Sequence, residues 1–273
     1  MDSYAAAWRD NLLQTLEPFK HLPILLSGGM DSATLVAALL ELGARPKCYS
    51  FRLGERDSVD VRVARKICLD HALELDLTTI PRDPATLISD VRQVIRMLGV
   101  YAKAAVQCCQ PIMRMCSKIA IENRMAIIGT GGICEDNRRV NVFLGQCGED
   151  GMTRNYRRHN LLNWQASTTG RMIEMGEHCG VQLVQPYAMR PIATYGLHLD
   201  LREINWPRQK GIALRAFPEF FANGYWKKNS SLQVNSGIRE WHDTLLKSKH
   251  NKRGSKAVLG VYSDIFKEVF GHD

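Results

Sequence analysis

The apolar run Leu22–Leu26 passes directly into Ser27-Gly28-Gly29-Met30-Asp31-Ser32, and a segment with helical spacing follows. A short apolar run that ends at glycines reads as a buried parallel strand. After the glycines, Leu35, Ala38, Leu39 and Leu42 fall on one helical face, and Gly43 stands where a helix should stop. A strand that turns through two glycines into a helix opens a β–α unit, which requires a sheet covered by helices. The same turn makes an anion cup. Glycine lets backbone N–H groups approach a phosphate closely, the helix adds its positive N-terminal end, and Ser27 and Ser32 add hydroxyls.

The alternation continues. Lys47–Phe51 reads as a strand, 57–71 as a helix with Val59, Val63 and Ile67 on one face, and Glu74–Ile80 as a third strand. Pro84–Leu98 and Gln110–Asn123 read as helices, Met125–Ile128 as a strand ending in Gly129-Thr130-Gly131-Gly132, Leu161–His178 as a helix and Val181–Val184 as a fifth strand. The first helix spans Ala5–Phe19, with Trp8, Leu12 and Leu16 on its buried stripe. This pattern predicts an α/β fold with a doubly wound, parallel, five-stranded sheet. After Pro186 the segments become helical and rich in Trp, Phe and Lys. The expected division is therefore a strand–helix part that carries the loop over 1–186 and a helical C-terminal region over 187–273.

Composition sets outer limits. With 273 residues and 45% apolar content, the chain can bury one substantial core. No apolar run reaches the roughly 18 residues needed to span a bilayer, and Met1–Leu13 has no signal-like apolar core. A soluble, cytoplasmic protein is expected, with no membrane partner. Of the eight cysteines, Cys108, Cys109 and Cys116 lie close together, and Cys134 and Cys147 can join them after folding. No pair has CxxC spacing, so they read as small buried hydrophobes, with a metal site as the alternative. The net charge of +8 suits anionic substrates or nucleic acid. Its densest runs, Arg154–Arg158 and Lys247–Lys256, read either as solvated loops or as phosphate-backbone contacts.

The Ser27–Ser32 loop lacks the lysine of a Walker A motif and the spacing of a dinucleotide fingerprint. Asp31 stands inside the anion cup, where a carboxylate repels phosphate unless a cation lies between them, so Mg²⁺ on Asp31 is expected. The alternative is that Asp31 and Ser32 merely cap the helix.

SGGMDS resembles the PP-loop of N-type ATP pyrophosphatases, which split ATP to AMP and pyrophosphate on a Rossmann-like fold of the adenine nucleotide alpha hydrolase type. Tyr49-Ser50-Phe51, then Asp60, Ala64, His71 and the strand to Ile80, resembles the second unit of asparagine synthetases. Arg208–Arg215 (RQKGIALR) resembles that family's K-x-x-L-R region, and Lys227–Gln233 its late lysine segment.

The resemblance implies ATP contacts at Leu26, Ser27, Gly28, Gly29, Asp31, Ser32, Phe51 and Gly129. Lys210 and one of Lys227 or Lys228 would hold the departing pyrophosphate, a role suited to a compact positive charge. The acidic motif after the fourth strand is shifted in this chain. Its only candidates are Asp136 as a second Mg²⁺ ligand and Glu135 as an acid/base or amine-binding group, with helix capping as the alternative for both. No glutaminase segment with a Cys after Met precedes the loop. Nitrogen is therefore expected from ammonia, another amine or a glutaminase partner. The leading expectation is a ligase that adenylates a carboxylate-bearing acceptor for attack by an amine. The alternatives are a PP-loop enzyme that modifies a nucleobase or a nucleic acid, and a non-catalytic nucleotide-binding module.

Overall fold

The computed structural model describes residues 2–129, 163, 165, 167–208, 210–225, 232–246 and 255–271. Helix α1 (Ser3–Leu16) starts at Asp2, whose carboxylate accepts from the Ala5 N–H at 2.8 Å. Its apolar stripe, Trp8, Leu12 and Leu16, is buried, as the spacing predicts. A short 3₁₀ turn, Glu17–Phe19, then leads to β1 (Ile24–Leu25). The order continues α2 (Met30–Glu41), β2 (Cys48–Leu53), α3 (Val59–Asp70), β3 (Leu75–Ile80), α4 (Pro84–Leu98), α5 (Lys103–Glu122) and β4 (Met125–Ile128). It resumes with α6 (Thr168–His178), β5 (Gln182–Val184), α7 (Arg190–His198), α8 (Leu201–Asn205), α9 (Gly211–Ala216), α10 (Pro218–Ala222), α11 (Leu232–Asn235), α12 (Ile238–Leu246) and α13 (Ser255–Phe270).

All five strands are parallel, in the order β3-β2-β1-β4-β5. Leu25 pairs with Tyr49 on one side and Ile128 on the other, so β1 is central and its residues have no exposed face. This explains the unbroken apolar run in the sequence. The strand order reverses between β1 and β4, and in open α/β sheets the crevice at that point, beyond the carboxyl ends of the strands, receives ligands.

Each face of the sheet carries its own core. One includes Trp8, Leu12, Leu35, Leu39, Ile67, Ile212 and Phe220 from α1–α3 and from the helices after Pro186. The other includes Val91, Cys109, Ile119, Met175, Trp241 and Tyr262. Helices that follow residue 186 thus enter both cores. Cys48, Cys68, Cys108, Cys109 and Cys116 are buried free thiols, and burial pushes Cys108 and Cys116 up to about 12. They therefore pack as small neutral side chains. Cys134 and Cys147 lie outside the described residues, as do 154–158 and most of 247–256.

Two helix starts differ from expectation. Helix α5 begins at Lys103 rather than Gln110 and runs straight through Pro111. Proline there removes one N–H from the ladder, so its position reads locally as a boundary, yet twelve buried side chains hold the helix together across it. Helix α6 begins at Thr168, not Leu161, because the Ser167 hydroxyl accepts from the Gly170 N–H and caps it there.

A buried polar chain ties the C-terminal helices to α4 and α5. Arg114 donates to Asp90, the Gln110 amide donates to Asp90 at 3.0 Å, and the Gln110 carbonyl faces His242 Nε2 at 2.8 Å. Since that oxygen can only accept, Nε2 carries the proton, and Nδ1 accepts from the Tyr262 hydroxyl. Burial, helped by the nearby Lys103 ammonium and opposed by Asp243, drives the His242 pKa down to about 3. A depressed folded-state pKa means that this stability is complete above about pH 6.5 and is lost as pH falls toward 3. Chemical denaturation across pH 7 to 4 should show the His242→Gln variant losing stability less steeply than wild type. The difference in slope should approach about 1.4 kcal/mol per pH unit.

Candidate functional site

The Ser27–Ser32 loop sits where β1 meets α2, and its shape follows from two glycines and two serines. Gly28 adopts φ +68°, a left-handed conformation that suits glycine. A Cβ at that position would lie 2.1 Å from the backbone carbonyl oxygen of Asp60. Glycine therefore lets the loop seat directly on the first turn of α3. On the other side, a Cβ on Gly129 would lie 2.9 Å from Ser32 Cα, so the end of β4 packs against the first turn of α2. The loop is thus clamped between the ends of β2–α3 and β4.

The serine hydroxyls stabilise this turn. Ser32 Oγ accepts from the Ser27 N–H at 3.1 Å and lies 3.0 Å from Ser27 Oγ, which in turn accepts from the Gly29 N–H at 3.2 Å. Ser32 is fully buried, so both hydroxyls brace the loop from within. Gly29 is the N-cap of α2, and no side chain closes that helix end. Its positive pole is therefore left to face an anion. Leu26 and Phe51 are buried at the carboxyl ends of β1 and β2, so any nucleotide contact there is made by their backbone.

Lys210, from the turn before α9, reaches across to this loop. Its Nζ lies 2.7 Å and 2.8 Å from the two carboxylate oxygens of Asp31. The pair is largely buried, with side chains 8% and 15% exposed. Lys210 has φ +61°, and its N–H donates to the Asn205 side chain at 3.0 Å, which fixes the turn. Tyr187, just past β5, donates its hydroxyl to the Asp31 carbonyl at 2.8 Å and stacks on Trp8 with ring centroids 6.4 Å apart. Burial and the Asp31 charge hold the Tyr187 phenol well above its ordinary pKa, so it remains a donor. Lys210 was marked by the sequence and meets Asp31 here; Tyr187 was not marked, because only the tertiary fold brings it to the loop. Lys228, Glu135 and Asp136 lie outside the described residues.

Near the same turn, Trp206 is 65% exposed. The Arg215 guanidinium sits 5.6 Å from its ring centroid. A separate surface cleft of about 590 Å³, lined by Lys20, His21, Arg45 and Lys47, lies at the amino ends of the strands. It is at the opposite edge of the sheet from the loop, and Lys47 there is already paired with Glu74 and Glu122.

Comparison with known proteins agrees with this geometry. The asparagine synthase family model matches residues 16–132. Residues 16–132, a little under half of the chain, are thus similar to the asparagine synthase family. The stretch holds the loop, β1–β4 and Gly129, and this family uses ATP. The chain is also 43% identical over 60 residues to a 7-cyano-7-deazaguanine synthase of Paramagnetospirillum magneticum. That match covers 20% of this chain, and the chain spans about a quarter (26%) of the relative's length. No helix among the described residues is long and apolar enough to cross a membrane.

The buried Asp31–Lys210 pair has a measurable consequence. Asp31→Ala leaves an ammonium desolvated and without its counter-charge, so it should destabilise the protein by about 3 kcal/mol. Asp31→Ala with Lys210→Met should recover most of that loss, which a double-mutant cycle by denaturant titration will measure.

Proposed function

We propose that this protein splits ATP to AMP and pyrophosphate at the Ser27–Ser32 loop to activate a carboxylate on a nucleobase-type acceptor, which ammonia or another amine then attacks. The observation that carries this reading is the meeting of Lys210 and Asp31 at the PP-loop. It puts a compact cation on a loop otherwise built to receive phosphate. The asparagine synthase match supports adenylate chemistry. The deazaguanine synthase match favours a nucleobase over a free amino acid as acceptor. The leading sequence expectation, a carboxylate-aminating ligase, and the nucleobase alternative thus converge on one reaction, with the acceptor moved toward the alternative.

In this reaction an acceptor carboxylate oxygen bonds to the α-phosphorus of ATP and the bond to pyrophosphate breaks. The amine then bonds to the acyl carbon, AMP leaves, and the amine releases a proton. The open N-terminal end of α2 binds phosphate, and the clamped loop keeps that end in place. Lys210 reaches the leaving pyrophosphate by rotation about its own side chain and matches the charge that gathers there. Asp31 fits Mg²⁺, a hard cation that prefers oxygen ligands and shares them with substrate phosphates. Its carboxylate already faces a cation, the Lys210 ammonium. Bound with ATP, Mg²⁺ would supply screening of the phosphate charge. The segment 187–273, which brings Lys210 and Trp206 to the loop, shapes the acceptor side of the cleft in this reading.

An ATP–pyrophosphate exchange screen tests the proposal. Exchange is expected with a carboxylated 7-deazapurine and not with aspartate; exchange with aspartate alone would overturn the nucleobase reading. Lys210→Met should lower the exchange rate about 100-fold while barely changing the KM for ATP, because the charge it meets develops in the transition state.

A further inference from the structure

The Asn205–Gly211 segment does more than deliver Lys210. Its closure brings the backbone of Trp206 against that of Gly211, the residue after Lys210. A Cβ on Gly211 would sit 2.0 Å from the Trp206 carbonyl oxygen, so only glycine permits the approach. The Gly211 N–H donates to the Arg208 carbonyl at 2.8 Å and tightens the same turn. The Trp206 main chain is therefore held close to the lysine that grips Asp31.

Arg215 stiffens the ring from behind. Its guanidinium donates to the carbonyls of Trp206 and Glu203, pairs with Asp2, and lies 5.6 Å from the indole centroid. A guanidinium on one face leaves the rest of a large aromatic surface open, and Trp206 keeps 65% of its area exposed. The location is on the reaction edge of the sheet. Trp206 lies four residues before Lys210 and closes against Gly211 just after it, and the Lys210 ammonium pairs with Asp31 in the first turn of α2. The platform therefore sits beside the lysine that reaches the loop.

An exposed indole backed by a fixed guanidinium offers a stacking face for a planar heterocycle, since every base presents a π-face. Lys210 marks the phosphate end of ATP, whereas the adenosine contacts implied by Leu26 and Phe51 lie over β1 and β2. A base on Trp206 would therefore be the acceptor and not the adenine of ATP. We propose that Trp206, held by Arg215, is the stacking platform that positions a purine-type acceptor base beside the PP-loop. This rests on the nucleobase reading above.

Titration calorimetry on the full chain tests it, with 7-deazaguanine, a single-stranded RNA oligonucleotide and ATP with Mg²⁺ as separate probes. Wild type should bind 7-deazaguanine. Trp206→Ala should weaken that binding about tenfold and Trp206→Phe less, because the smaller ring keeps part of the stacking. Both variants should bind ATP as wild type does, which also shows that they are folded. Equal binding of 7-deazaguanine by wild type and Trp206→Ala would overturn the platform while leaving the nucleobase reading intact. Parallel loss of ATP and base would overturn it in favour of adenine stacking. A defect confined to RNA would overturn it in favour of a nucleic-acid contact. If wild type binds ATP but not the base, the nucleobase reading fails and the platform proposal fails with it.

Discussion

The structure turns on one ion pair. Asp31 stands in the first turn of α2, at a helix end that favours negative charge, and Lys210 arrives from a distant turn to neutralise it. Both side chains are largely buried, so removing either one leaves the other's charge poorly hydrated. The pair ties the C-terminal helices to the nucleotide loop, and Tyr187 adds a second tie through the Asp31 main chain. The loop is therefore held at the carboxyl edge of the sheet by groups from outside the β–α unit that forms it.

The surrounding fold keeps that edge rigid. β1 is paired on both sides and buried on both faces, so the point from which the loop departs has little freedom. Gly28 on the Asp60 carbonyl and Gly129 on Ser32 remove slack laterally. Packed interiors of this density transmit displacement instead of absorbing it. Added bulk at either glycine would therefore shift the N-terminal end of α2.

Much of this was legible in the sequence, and the reasons are physical. The strands were readable because a parallel sheet covered on both faces needs continuous apolar runs, as in Leu22–Leu26 and Met125–Ile128. The loop was readable because glycines between a strand and a helix have few other uses. Lys210 was marked only through the family resemblance; its local pattern is that of any lysine in a basic stretch. Tyr187 and Trp206 carried no signal, because their roles come from contacts with Asp31 and Arg215 that lie far off in sequence or depend on the shape of one turn. The start of α5 was hidden by Pro111, whose local cost is overridden by burial. The start of α6 was set by the Ser167 cap, which Leu161 and Leu162 obscured by extending the apolar pattern upstream.

The order of residues along the chain gives the Asp31 site a history. The loop is synthesised before its braces, and Tyr187 and Lys210 follow more than 150 residues later. A ribosome-bound chain that has released the first four strands holds the residues of the loop but not the side chains that brace Asp31. A fragment that stops before the Lys210 turn would thus carry the loop without the charge that pairs with Asp31.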